Sequence, residues 1–189
     1  MVNINQKMVN VLGGINLNAS ISIHALAKKV DEPYTSIYRQ ITKLNKFGVI
    51  KLNRQGQVNF VSLNLKNELT RHLLSVVSYF KKEKLVNKHP LLKIVAKQFG
   101  FNSPLIVFGS YVSGKRRKHS DLDLCVLGLS TKQERLFKSS LKKIELIHKI
   151  EINCLFFRKN EFVSMLKSNS HNVGKEIFLN HLVLKNSHN

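Results

Sequence analysis

The fold of the second half of this chain is decided by two neighbouring stretches, Leu105-Ile106-Val107-Phe108-Gly109-Ser110 and Asp121-Leu122-Asp123-Leu124-Cys125-Val126-Leu127. Each contains an apolar run of the length of a buried strand. Alternate side chains of a strand point to the same face, so Asp121 and Asp123 lie on one face. Two carboxylates this close repel each other unless a cation or a proton compensates their charge. The pattern alone fits a metal site and a strand that begins at its polar end equally well.

A second signal precedes the aspartates. The first apolar run ends at Gly109-Ser110, and a strand that turns through glycine lets backbone N–H groups approach a phosphate closely. The Ser110 hydroxyl offers a further donor. The basic run Lys115-Arg116-Arg117-Lys118 supplies cations between Ser110 and Asp121. This combination favours a phosphate site, although a basic run also fits a solvated loop.

The rest of this half alternates strands with helices. Short, mixed connections of this kind predict an α+β domain with a small mixed sheet. The predicted elements are strands at Leu105 to Phe108, Leu122 to Leu127 and Ile150 to Phe157, helices from Ser130 or Thr131 to about Ile147 and near Glu161 to Lys167, and a terminal stretch through Leu184.

These motifs together resemble the signature of the minimal nucleotidyltransferases, which belong to the DNA polymerase β-like nucleotidyltransferase superfamily. The matching pattern is Gly109-Ser110, then ten residues, then Asp121-x-Asp123, with each motif next to an apolar run. The spacing is similar to that of the nucleotidyltransferase partners in toxin–antitoxin pairs whose other member is a HEPN-domain protein. The resemblance covers about Pro90 to Leu184.

The resemblance implies transfer of a nucleoside monophosphate from an NTP, with ATP expected, to a hydroxyl, and release of pyrophosphate. It implies Mg²⁺ or Mn²⁺ as the cofactor, held by Asp121, Asp123 and a third carboxylate on a later strand. The run Ile150-Glu151-Ile152 fits that third position, so Glu151 is expected to bind metal and to help deprotonate the attacking hydroxyl. These three carboxylates are the predicted catalytic residues. The predicted nucleotide-binding residues are Gly109, Ser110, Lys115 and Arg116.

The sequence departs from the family pattern at one place. Many relatives carry an Arg soon after the Gly-Ser pair, whereas this chain has Val112-Ser113-Gly114 there. Phosphate binding is therefore expected to be rearranged or weaker. Glu151 has an alternative too, because a single Glu in a strand also fits an edge position.

The first part of the chain has a different pattern. Apolar residues at helical spacing, a Pro at position 33 that opens a longer helix, and a turn at Asn53 to Gly56 predict helices followed by a short hairpin. From Ile21 to Phe60 this resembles the winged helix-turn-helix of bacterial and archaeal regulators. Its recognition helix would run from Pro33 to Lys46. The residues expected to contact DNA are Thr35, Ser36, Tyr38, Arg39, Lys43 and Arg54.

The overall charge agrees with a polyanionic partner. The 189 residues include 31 Lys and Arg against 11 Asp and Glu, a formal net charge of +20. Residues 1–66 hold nine of the basic and two of the acidic residues, which favours DNA binding over a protein-interaction role for this module. No apolar stretch approaches the roughly 20 residues that span a bilayer, and no leader pattern is seen. We therefore expect a cytosolic protein with no membrane partner.

The predicted organisation is a winged helix over residues 1–66, a helical connector over 67–89 and a nucleotidyltransferase domain over 90–189. Two other functions fit the same sequence. One is a DNA-binding transcription regulator whose nucleotidyltransferase fold senses nucleotide without catalysis. The other is an antitoxin-like protein that binds a HEPN-type toxin and represses its own promoter, and such a toxin is also a possible protein acceptor. The sequence leaves the acceptor and the oligomeric state open.

Overall fold

A computed structural model describes residues 5–17, 19–114, 117 and 120–186 of the chain. The chain divides into two compact units, Met1–Lys81 and Lys82–Asn189. The boundary falls inside one long helix, Glu68–Lys88, so the stretch predicted as a connector contributes to both units. No helix in the described ranges is long and apolar enough to cross a membrane.

The first unit consists of helices and a three-stranded antiparallel sheet. Its strands lie in the order β1-β3-β2, and β2 and β3 form a hairpin with Ile50 opposite Leu63 and Gln55 opposite Val58. The elements in chain order are α1 (Gln6–Gly14), β1 (Ile21–Ser22), α2 (Ile23–Val30), α3 (Tyr34–Lys46), β2 (Ile50–Gln55), β3 (Val58–Leu63) and the first part of α4 (Glu68–Lys88).

Local sequence explains where these helices begin and which faces they bury. The side chains of Asn5 and Ser22 accept hydrogen bonds from the backbone N–H groups of Met8 and Ala25, which caps α1 and α2. In α3, Ile37, Ile41 and Leu44 recur at helical spacing and are fully buried. These side chains join residues of α1, α2 and the hairpin in one apolar core.

The second unit is built on a four-stranded mixed sheet. The strand order is β6-β5-β4-β7, with β5 and β6 parallel and the other two pairs antiparallel. The elements are α5 (Pro90–Gln98), β4 (Leu105–Phe108), α6 (Ser110–Ser113), β5 (Leu122–Leu127), α7 (Thr131–His148), β6 (Ile152–Phe157), α8 (Lys159–Lys167), α9 (Val173–Leu179) and β7 (His181–Lys185).

Each face of this sheet has its own apolar cluster. Val107, Leu122 and Leu124 pack in one cluster with residues of α5 and α7. Cys125 and Ile106 face the other way and pack with Phe162 of α8 and Ile177 of α9. Because side chains alternate along a strand, Asp123 lies on the same face as Cys125.

The predicted α+β fold with a small mixed sheet is confirmed for this unit. One boundary differs from the prediction: the strand expected from Ile150 begins at Ile152. Lys149 has a left-handed backbone conformation (φ 51°) that ends α7, and Glu151 therefore precedes the strand.

Candidate active site and nucleic-acid surface

The two aspartates lie at the start of β5, on the face of the sheet opposite Leu122 and Leu124. Asp121 immediately precedes the strand and Asp123 is its second residue; both are partly exposed, whereas Leu122 and Leu124 are fully buried. Burial of these leucines fixes the register of the strand, because a slip of one residue would put the carboxylates into the core. The apolar alternation thus presents both carboxylates to solvent on one face.

Gly109 lies against Asp123. A Cβ atom added to Gly109 would overlap Asp123 Oδ2 and come within 3.0 Å of Asp123 Cγ. Gly109 also has φ +69° and ψ −142°, a conformation that residues with a side chain rarely adopt. Glycine is needed here for both reasons, and the turn after β4 reaches the carboxylate through its backbone.

Ser110 follows with a buried hydroxyl. Its Oγ has no hydrogen-bond partner within the part of the chain that the structure describes. A buried polar atom without a partner is costly, and Ser110 directly follows Gly109, whose backbone lies against Asp123. Of the two residues predicted to bind phosphate, Gly109 lies against Asp123 and Ser110 is its neighbour in sequence.

Asn153 is a residue of this site that the sequence did not indicate. The parallel register of β5 and β6 places it directly beside Asp123. Its side-chain Nδ2 donates a hydrogen bond of 3.4 Å to Asp121 Oδ2. The signal that identifies Asn153 is the strand register, which depends on how β5 and β6 pair and not on local sequence.

The environment of Asp123 differs from that of a fully solvated carboxyl group. Partial burial raises the pKa of Asp123, a hydrogen bond from Asn153 lowers it, and the nearby Asp121 charge raises it, with a net increase. A bound cation would favour the charged form of both carboxylates. Cys125 is no competing nucleophile, because burial raises the pKa of its thiol to about 12.

Glu151, the predicted third carboxylate, is exposed and stands one residue before β6. Its backbone oxygen accepts a hydrogen bond of 2.9 Å from the Leu122 N–H, which places its backbone beside the start of β5. Over the described ranges, no group of three or more His, Cys, Asp or Glu could hold a metal ion. The structure thus brings the backbone of Glu151 to the site without forming a three-carboxylate cluster.

The chemistry of the Asp pair suits a hard divalent cation. Mg²⁺ is commonly bound through one or two carboxylates, with water and substrate phosphates completing its coordination. Asp121 and Asp123, next to a glycine turn and a buried hydroxyl, meet that requirement. Lys115 and Arg116, predicted to bind nucleotide, lie outside the described residues.

In the first unit, most residues predicted to contact DNA lie on one face of α3. A surface depression of about 450 Å³ follows this face. Ser36 is not among its lining residues, and its Oγ instead contacts Glu32 and Lys7. Arg54 donates from Nε to the Gly56 oxygen in the β2–β3 turn. The lining residues are Tyr34, Thr35, Tyr38, Arg39, Thr42, Lys43 and Lys46.

Comparison with known proteins supports the resemblance for the second unit. Residues 90–178 match the family model described as a nucleotidyltransferase domain. This range is therefore similar to a nucleotidyltransferase domain, and the match supports a transferase role in general. A comparison with curated proteins found no match.

Proposed function

We propose that the second unit transfers a nucleoside monophosphate from an NTP, with ATP as the expected donor, to a hydroxyl group. The observation that carries this proposal is that the backbone of Gly109 lies against Asp123, which follows Asp121 at the start of β5. Ser110, next to Gly109, has a buried hydroxyl with no hydrogen-bond partner among the described residues. Such an arrangement offers carboxylates for a metal and donors for phosphate oxygens within one small region. The family match over residues 90–178 supports the same class of reaction.

Each residue has a defined role in this proposal. Asp121 and Asp123 hold Mg²⁺ or Mn²⁺, which when bound neutralises negative charge on the phosphates and on departing pyrophosphate. Ser110 Oγ and the turn at Gly109 position the phosphates, while Lys115 and Arg116 add positive charge. Glu151 accepts the proton of the attacking hydroxyl.

We further propose that the first unit is a winged helix that binds DNA. Its order of three helices and a β-hairpin supports this, with β1 pairing on β3 as a third strand. The α3 surface supports it too, since Arg39, Lys43 and Lys46 share one depression with Tyr34 and Tyr38, and none of the described residues that line it is acidic. A basic, aromatic helix face of this kind fits the major groove.

A nucleotide-sensing regulator is the second candidate. Glu151 is exposed and belongs to no three-ligand group over the described ranges, and this observation favours sensing. A sensor needs carboxylates that hold a metal-bound nucleotide, but it does not need a group that activates an attacking hydroxyl. In that case the winged helix would be the functional output.

One experiment separates the two candidates. Purified protein is incubated with labelled ATP, Mg²⁺ and acceptors that include cell RNA and a HEPN-type protein, and incorporated label is measured beside ATP affinity. We expect Glu151→Gln to bind ATP like wild type but to lose transfer by about two orders of magnitude or more. The matched control is Glu176→Gln, since Glu176 is exposed on α9.

The outcomes are distinct. Equal transfer by wild type and Glu151→Gln would remove Glu151 from catalysis. Glu145 is a poor replacement, because its Oε1 accepts a hydrogen bond of 2.8 Å from the Ile152 N–H and so holds the start of β6. Tight binding of ATP with no transfer to any acceptor would support the sensor.

A further inference from the structure

Asn153 is the residue that the sheet places beside the aspartates. It pairs with Asp123 across the parallel strands, and its Nδ2 lies 3.4 Å from Asp121 Oδ2. The amide of Asn153 also lowers the pKa of Asp123, against the larger effect of burial. A side-chain amide nitrogen carries two hydrogens and no charge, so one group can serve both carboxylates.

On the neighbouring strand β6, the residue opposite Asp123 is Asn153, an uncharged hydrogen-bond donor. A third carboxylate at this position would lie beside the two aspartates. Glu151 lies two residues earlier and precedes β6, outside its ladder with β5. Asn153 is exposed, so the core does not require an amide at this position. The hydrogen bond that its side chain makes is to the carboxylate of Asp121.

We propose that Asn153 is a positioning residue for the metal-binding carboxylates, a role that rests on the proposed function of this site. Its amide holds Asp121 and Asp123 side by side against their mutual repulsion, so that the pair is preorganised when a cation arrives. Because Asn153 adds no charge, it also keeps the affinity of the site for divalent cations lower than a third carboxylate would.

Two substitutions change these properties in opposite directions. Asn153→Ala removes the donor and leaves the carboxylates unpositioned, so Mn²⁺ should bind about tenfold more weakly, as is usual when groups that orient metal ligands are lost. Asn153→Asp places a third carboxylate beside Asp123, so Mn²⁺ should bind about tenfold more tightly or better. Without metal, the added charge should lower the melting temperature.

The measurement is titration of the full-length protein with Mn²⁺ alone, followed by calorimetry, together with the melting temperature with and without the ion. The matched control is Asn102→Asp, which makes the same chemical change at an exposed residue before β4, far along the strand from Gly109. We expect Asn102→Asp to bind Mn²⁺ like wild type. Circular dichroism checks that each variant is folded.

The inference is overturned if both Asn153 variants bind Mn²⁺ with wild-type affinity. It is also overturned if Asn102→Asp tightens binding as much as Asn153→Asp, since general charge would then explain the gain. The double variant Asp121→Asn with Asp123→Asn distinguishes failure of the proposed metal site from failure of the proposed role of Asn153. If that variant binds Mn²⁺ normally, the proposed metal site itself fails, whereas loss of binding there with silent Asn153 variants refutes only the role of Asn153.

Discussion

At the scale of single residues, two features of the structure require glycine at position 109. Its positive φ excludes most side chains, and any Cβ would meet Asp123. Gly114 shares the first requirement, with φ +74°, but no atom of the described residues lies within 4 Å of the place that its Cβ would occupy. Comparing these two glycines separates backbone strain from displacement of the carboxylate.

We predict that Gly114→Ala destabilises the protein by about 1–2 kcal/mol, the cost of a left-handed backbone for an L-residue. Gly109→Ala should destabilise it more, because the Gly109 backbone conformation is essentially restricted to glycine and its Cβ would meet Asp123. Only Gly109→Ala should also abolish the stabilisation by Mg²⁺ and ATP, because Asp123 would have to turn away. Urea unfolding with and without the ligands measures both effects. Equal ligand responses in the two variants would mean that the Gly109 contact does not matter.

Asp123 gives a second prediction at this scale. Its pKa is raised in the folded protein, so between the ordinary Asp value and the raised value the folded state binds more protons than the unfolded state. The free energy of unfolding therefore falls as the pH rises through that window. At neutral pH and without metal, the charged Asp123 carboxylate therefore lowers the free energy of unfolding.

Asp123→Asn should accordingly be more stable than wild type at about pH 7 in the presence of a chelator. This advantage should shrink when the pH is lowered below the ordinary pKa of aspartate, because wild-type Asp123 is then neutral in both states. Urea unfolding curves at both pH values test this. A variant that is less stable than wild type at neutral pH would show that Asp123 is better stabilised than its surroundings indicate.

At the scale of elements, the alternating pattern of β5 and the helical spacing of α3 could be predicted because each depends on neighbours in sequence. The strand Leu122–Leu127 begins and ends where its apolar run does. Ile37, Ile41, Leu44 and Phe47 follow the spacing predicted for an apolar helix face. The first three are buried, whereas Phe47 is the C-cap residue of α3 and is exposed. Local patterns of burial are enough to define such elements.

The site could be predicted only in part, for a physical reason. Asp121, Asp123 and the Gly-Ser turn are visible in sequence because they adjoin apolar runs directly. Asn153 is not, since its contact with Asp121 arises from the pairing of β5 with β6 across 32 positions. The start of β6 was predicted two residues early, because Ile150 looks like a strand residue but follows a left-handed turn at Lys149.

The α3 surface gives a prediction at this scale. Arg39 and Lys43 lie in one depression, so if they contact DNA phosphates, each replacement by Ala should reduce the steepness of the salt dependence by about one unit. Affinity for a DNA duplex, measured by anisotropy over a range of salt concentrations, tests this. The control is Lys97→Ala on α5, which should leave the slope unchanged. No measurable duplex binding at low salt would favour a protein-interaction role.

At the scale of the whole molecule, the surplus of 20 positive charges belongs to a chain that has only three aspartates. Two of the three lie together at the start of β5. Positive potential over the surface attracts nucleotides and nucleic acids, whereas the local negative charge of the pair attracts a cation. A basic chain with one local pair of carboxylates has the charges that suit a nucleotide and its metal ion.

If Asp121 and Asp123 hold a metal-bound NTP, as we propose, Mg²⁺ together with ATP should raise the melting temperature of the protein. Ligand binding to the folded state raises that temperature, by several degrees when the ligand is in about hundredfold excess over its Kd. Wild type and the control Glu176→Gln should both show the increase, and Asp121→Asn with Asp123→Asn should show none. An unchanged increase in the double variant would mean that Asp121 and Asp123 do not hold the metal-bound nucleotide.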